Sequence, residues 1–229
     1  MKRSYLVLGM MAALLPSEMS AQKVTYRSFD HYNERVEEFE KMRPVDSTDV
    51  VMLGNSLTEL AGDWNKLLGG RHIRNRGIAG DDATGIYHRL SQILPGRPKA
   101  IFLMVGVNDI SHDLTAAQVF EQCRSVIDRI RKEAPATKLY VQSLLPINES
   151  FGRWKTLEGK TETVAAVTRL IRQYCQAQRV EYVNLFRYFN RHGTNEMRTE
   201  LTTDGLHLTP LGYKLWAFQL KKYMRLLNP

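Results

Sequence analysis

The stretch Val50-Val51-Met52-Leu53-Gly54-Asn55-Ser56-Leu57-Thr58-Glu59-Leu60 passes from an unbroken apolar run, through a glycine and two small polar residues, into a segment able to form a helix. A short run that is apolar throughout, not alternating, is the pattern of a strand buried on both faces. The stretch therefore predicts a strand over 49–53 whose carboxyl end delivers Gly54-Asn55-Ser56 to the start of a helix.

Working outward, the same unit recurs. Strand-like runs lie at 49–53, 72–76, 100–105, 138–145 and 180–185, the second being short and charged. Helix-like stretches lie between and after them, at 57–69, 82–94, 115–134, 161–178 and 210–227, and a further amphipathic stretch at 30–42 ends before Pro44. Strand followed by helix, five times and without hairpin signals, predicts a parallel sheet covered on both faces. Right-handed crossovers leave a doubly wound, flavodoxin-like α/β arrangement with a five-stranded parallel sheet as the leading topology, and with no linker to divide it the chain reads as one domain. Sites in such sheets form at the carboxyl edge of the strands, so the loops after the strands are where chemistry is to be sought.

Four blocks meet that condition. Ser56 follows the first strand as a nucleophile or as the N-cap of its helix, with Glu59 completing a capping box in "SLTE". The second strand runs into "NRGIAGDDATGI" (75–86), where the Gly80 N–H is free to face an oxyanion, or where the glycines simply make a turn. The third ends in "VGVNDI" (105–110), whose Asn108 is an uncharged side-chain donor or an Asn-Asp turn residue. Near the C-terminus, "TTDGLHLTPLGY" (202–213) sets Asp204 three residues before His207, a spacing that faces both side chains the same way on a helical turn. The pair suits a general base and its orienting acid, or half of a metal site lacking further ligands. Neither a GxSxG elbow nor a P-loop is present.

Taken in order, "GNSLTE", "NRGIAGD", "GVND" and "DGLHLT" resemble the four blocks of the SGNH hydrolases, the GDSL esterase/lipase family, and most of all its platelet-activating-factor acetylhydrolase-like branch. The resemblance runs from about Asp49 to Leu227. It implies a single three-layer α/β/α domain and serine-dependent ester hydrolysis without metal or cofactor. By it Ser56 matches the nucleophile, and Asp204 and His207 match the acid and base. The oxyanion hole would be formed by the N–H groups of Ser56 and Gly80 and the side chain of Asn108. Asn55 departs from the family, whose first block usually carries aspartate there.

The segment "PINESFGRWKTLEGK" (146–160) is long for a connection, which often marks a functional loop. Trp154 offers a face for a sugar ring and Arg153 a charge for a carboxylate, or the loop is merely exposed and anchored by its tryptophan. With no extended apolar lid in sight, the family analogy points to removal of small acyl groups, chiefly acetyl, from carbohydrates. A lysophospholipase or thioesterase would use the same residues. A silent glycan-binding module would leave the complete set of five residues without a task, and a structural envelope protein would leave the "DGLH" block unexplained.

The bulk properties bound the setting. Residues 1–21 combine Lys2 and Arg3, an apolar run from Tyr5 to Leu15 and small residues to Ala21, the order of a secretory signal, and the run is too short to span a bilayer. No cysteine lies there to carry a lipid anchor, so a periplasmic or secreted protein, with 22–229 as the hydrolase domain and no membrane insertion after cleavage, is expected. The chain carries a formal net charge of +8, but its basic residues alternate with acids, as in "RVEEFEKMR", which does not suggest nucleic acid as a partner. Cys123 and Cys175, both in helical segments, read as two buried thiols or as a pair.

Overall fold

The computed structural model describes residues 26–227. The expected signal segment, residues 1–21, lies outside the described residues. The elements follow in the order α1 (Asp30–Lys41), β1 (Val50–Gly54), α2 (Ser56–Glu59), α3 (Trp64–Leu68), β2 (Ile73–Gly77), α4 (Ala83–Arg89), β3 (Ala100–Met104), α5 (Val107–Ser111), α6 (Ala116–Glu133), β4 (Lys138–Gln142), α7 (Thr161–Gln178), β5 (Glu181–Val183), α8 (Phe186–Phe189) and α9 (Pro210–Leu227). The five strands pair in parallel in the order β2-β1-β3-β4-β5, which is the flavodoxin-like order.

The alternation of side chains along each strand sorts the core into two layers. Val51, Leu53, Ile101, Leu103 and Val141 face α4, α6 and α7, joining Ile86, Val126, Ile127 and Ile171. Val50, Met52, Phe102, Met104 and Tyr140 face α3 and α9, joining Trp64, Trp216 and Leu220. All five residues of β1 and of β3 are buried, which is why these strands carry no polar alternation. Cys123 and Cys175 are free thiols in the first of these layers.

Two tryptophans hold the second layer in place. The Trp64 and Trp216 rings meet edge-on with centroids 5.1 Å apart. Trp216 Nε1 donates to Gln142 Oε1 at 2.7 Å, and Trp64 Nε1 donates to the Thr58 carbonyl at 3.1 Å, so neither buried N–H is left unpaired. Tyr213 Oη also donates to the Leu57 carbonyl at 3.0 Å, tying α9 to α2.

The helix expected over 57–69 is instead two, because Gly62 adopts φ +66° between α2 and α3. The stretch over 82–94 keeps its helix only to Arg89 and continues in 3-10 turns through Gly96. The strands predicted over 138–145 and 180–185 end earlier, at Gln142 and Val183. Short helices α5 and α8 occupy stretches read as strand ends and loops.

Candidate active site

The strand register fixes where the site stands. Gly54 is level with Gly77 on one side and with Met104 on the other, so the loops after β1, β2 and β3 leave the sheet at one height. They carry Ser56, Gly80 and Asn108. The β1/β3 boundary is also where the strand order reverses, the position at which open α/β sheets form their crevice.

Ser56 is not the cap of its helix. Asn55 occupies that position, and its Oδ1 accepts from Leu57 N at 3.1 Å, leaving Ser56 as the first helical residue. The capping box expected in "SLTE" does not form. Glu59 instead accepts from the Ala79 N–H and pairs with His31 at 3.1 Å and Arg35 at 3.3 Å. The Ser56 hydroxyl is therefore uncommitted within α2 and reaches His207 Nε2 at 3.0 Å. The Asn55 Nδ2 is buried without a partner among the described residues, an unpaired donor where aspartate would have none.

Asp204 and His207 do not lie on a helix, contrary to the spacing argument. They sit in an irregular segment held by the carboxylate itself: Asp204 Oδ1 accepts from Leu206 N at 3.0 Å and from His207 N at 2.7 Å. Its Oδ2 meets His207 Nδ1 at 2.8 Å. An ionised carboxylate only accepts, so Nδ1 carries the proton and Nε2 presents its lone pair to the Ser56 hydroxyl. Burial raises the Asp204 carboxyl, but the His207 ring and the two backbone N–H groups outweigh it and hold it below the usual carboxylate range.

The turn is clamped from behind. The His207 carbonyl accepts from Thr202 Oγ1 at 2.8 Å and Thr203 N at 2.9 Å, and Asn148 N donates to the Gly205 carbonyl at 2.8 Å. Gly205 has φ +92°, and a Cβ there would stand 2.3 Å from the Asn148 carbonyl oxygen, so only glycine fits. Thr202, Thr203 and Asn148 escape a reading of the sequence by itself; the Thr-Thr pair directly before Asp204 is the one signal that points to them.

Gly80, at φ +83°, is exposed, and neither its N–H nor that of Ser56 has a partner among the described residues. Asn108 Nδ2 donates one hydrogen to the Asp81 carbonyl at 2.8 Å, which joins α5 to the turn holding Gly80 and leaves the second hydrogen free. The neighbouring Asp109 accepts from Ala83 N at 3.1 Å, a second tie between the same segments.

The loop residues divide. The Trp154 indole packs edge-on against the His207 ring. Arg153 lines a cavity of about 150 Å³ that also touches Asp204 and Gly205 but neither Ser56 nor His207. Among the described residues no cluster of His, Cys, Asp or Glu could hold a metal ion, and no helix is long and apolar enough to cross a membrane.

A serine, a histidine and an aspartate in sequence at 3.0 and 2.8 Å are the parts of a nucleophile activated by a general base. Residues 47–215 match the family model for the GDSL-like Lipase/Acylhydrolase family. The chain belongs to this family. It is 33% identical over 103 residues to the platelet-activating factor acetylhydrolase IB subunit alpha1 of Rattus norvegicus, a match covering 43% of this chain and 44% of the rat protein. The chain thus aligns with less than half of that relative. Among solved structures, a GDSL-like lipase from Bacteroides thetaiotaomicron superposes with a TM-score of 0.71 at 20% identity, covering 85% of this chain and 97% of that one. An acetyl xylan esterase does so with a TM-score of 0.62 at 20% identity, covering 77% and 99%. These two likenesses establish the GDSL-like hydrolase fold: a five-stranded parallel sheet flanked by helices.

Proposed function

We propose that this GDSL-family protein is an exported serine esterase that removes short acyl groups, chiefly acetyl, from carbohydrates. The observation that carries the reading is the unbroken Asp204–His207–Ser56 chain of hydrogen bonds. His207 Nε2 takes the proton of the Ser56 hydroxyl as Oγ attacks the ester carbonyl carbon. The negative oxygen is met by the N–H groups of Ser56 and Gly80 and by Asn108 Nδ2. His207 then returns the proton to the departing alcohol, leaving an acyl-enzyme. A water that gives its proton to the same histidine attacks the acyl carbon, and His207 passes that proton to Ser56 Oγ as the acyl–oxygen bond breaks and the acid leaves. Asp204 holds the imidazole and balances its charge while it is protonated.

The short acyl chain is supported by two of the similar proteins. The rat relative is named for an acetylhydrolase, and the acetyl xylan esterase shares the fold. Trp154, 38% exposed, offers a sugar ring an aromatic edge next to the base. Export rests on the signal-like residues 1–21.

Hydrolysis of p-nitrophenyl esters from acetate to octanoate, wild type beside Ser56→Ala, tests the reading. Rates should fall with chain length and vanish in the variant, and acetate should be released from acetylated xylan. Preference for octanoate would move the substrate to lipids, and undiminished turnover by Ser56→Ala would remove the mechanism.

A further inference from the structure

Two arginines are buried among the described residues, and they are treated differently. Arg89 donates from Nε to Asp81 at 2.8 Å. Arg76, on β2 and 3% exposed, forms no ion pair with a carboxylate among the described residues. Its Nη1 reaches the Asn75 carbonyl at 3.3 Å and Met42 Sδ at 3.6 Å, and its Nε has no partner. Its guanidinium lies 4.5 Å from the centre of the Phe39 ring. A guanidinium does not shed its proton in a protein, so this charge stays, and a ring face and one carbonyl offset its lost hydration only in part.

The charge borders open space. Arg76 lines a surface groove of about 460 Å³ with Arg35, Arg74, Asn75, Met42 and Glu59. The carboxylates at hand are already engaged. Glu59 is held by the Ala79 N–H, His31 and Arg35, and Asp49 by Arg43 at 2.6 Å and, more distantly, by Arg74 at 4.0 Å. Burial, together with Arg74, Arg89 and Arg35, draws the Arg76 pKa down to about 10, the direction taken by a cation with no counter-ion of its own.

We propose that this groove is a binding site for an oxyanion of the phosphate or sulfate type, received by Arg76 with Arg74 at its rim. The planar fork of a guanidinium matches two oxygens of such a group, and the ion supplies the direct partner that no carboxylate among the described residues gives Arg76. The groove adjoins the catalytic edge through Glu59, which lies on the helix that begins with Ser56 and binds the residue before Gly80. The ligand is either the free ion or the same group carried on a sugar.

Thermal unfolding of wild type and Arg76→Met in sodium phosphate, in glucose 6-phosphate and in sodium chloride of matched ionic strength tests this. Methionine keeps the aliphatic stem but removes the charge and the guanidinium that lies on Phe39. A site that binds only the folded protein raises the midpoint by mass action, so the wild-type midpoint should climb and saturate while the variant follows the chloride control. Saturation at lower glucose 6-phosphate than phosphate assigns a sugar-borne group; the reverse assigns the free ion. Equal shifts in both proteins would be a general salt effect and would overturn the proposal. Should Arg76→Met fail to fold, Arg74→Gln should require severalfold more phosphate for the same shift, and the ³¹P line of phosphate should broaden with wild type. A sharp line with no saturable shift overturns the site.

Discussion

The Trp154 indole stands edge-on to the His207 imidazole, with ring centroids 5.1 Å apart and planes at 70°. It comes from the loop after β4. The ring pair is a second restraint on His207, acting on its face while Asp204 acts on its edge. An aromatic pair contributes about 0.5–1.5 kcal/mol beyond burial, so Trp154→Ala should lower kcat/KM by roughly three- to tenfold. Trp154→Phe should recover most of the loss. Esterase assays on p-nitrophenyl acetate measure both.

Asp204→Asn keeps the shape of the turn but can present an N–H to His207 Nδ1, which turns the lone pair away from Ser56. In a serine triad this change costs on the order of 10⁴-fold in kcat. The expected outcome is a folded protein, by circular dichroism, with that loss. A fall of less than about tenfold would show that Asp204 does not set the tautomer.

Asn108→Ala removes one oxyanion donor together with the bond to the Asp81 carbonyl. Loss of one such donor costs about 10²–10³ in kcat with KM little changed. A rise in KM instead, with kcat preserved, would place Asn108 in substrate binding.

At Gly77 the second strand passes against the serine-bearing helix. A Cβ there would lie 2.2 Å from Glu59 N and 2.8 Å from the Asn55 carbonyl oxygen, both backbone atoms with no rotamer to yield. Gly77→Ala should therefore cost about 1–3 kcal/mol or more in urea unfolding. It should also lower activity, because the displaced backbone runs from Asn55 through Ser56 to Glu59.

Asp109 is 1% exposed, and burial, then the nearby charge of Asp82, pushes its carboxyl up to about 7. Unfolded, it ionises near 3.8. Between those values the folded state keeps a proton that the unfolded state has lost, so the stability this group contributes is greatest below 3.8 and is lost as the pH rises through 7. Asp109→Asn, still able to accept from Ala83 N, should escape that loss. With one pKa unit worth about 1.4 kcal/mol, the variant should lose at least about 1 kcal/mol less than wild type between pH 5 and pH 8 in urea titrations. Parallel titrations would contradict it.

The sequence alone determined the alternation that builds the sheet, because a strand buried on both faces must be apolar throughout and each helix must turn one apolar stripe inward. It also placed Ser56, Gly80 and Asn108 after successive strands, since a parallel sheet sends all such loops to one edge. Tertiary structure decided the rest. Asn55, not Ser56, caps α2, a choice between adjacent polar residues that spacing does not resolve. Asp204 and His207 face the same way through hydrogen bonds from the carboxylate to the backbone, not through a helical turn. The bond from Asn148 to Gly205, the tie from Asn108 to Asp81 and the ring contact of Trp154 join segments far apart in the chain. Residue order carries periodicity, which is local; it does not carry the distance between segments, and that distance brings His207 within 3.0 Å of Ser56.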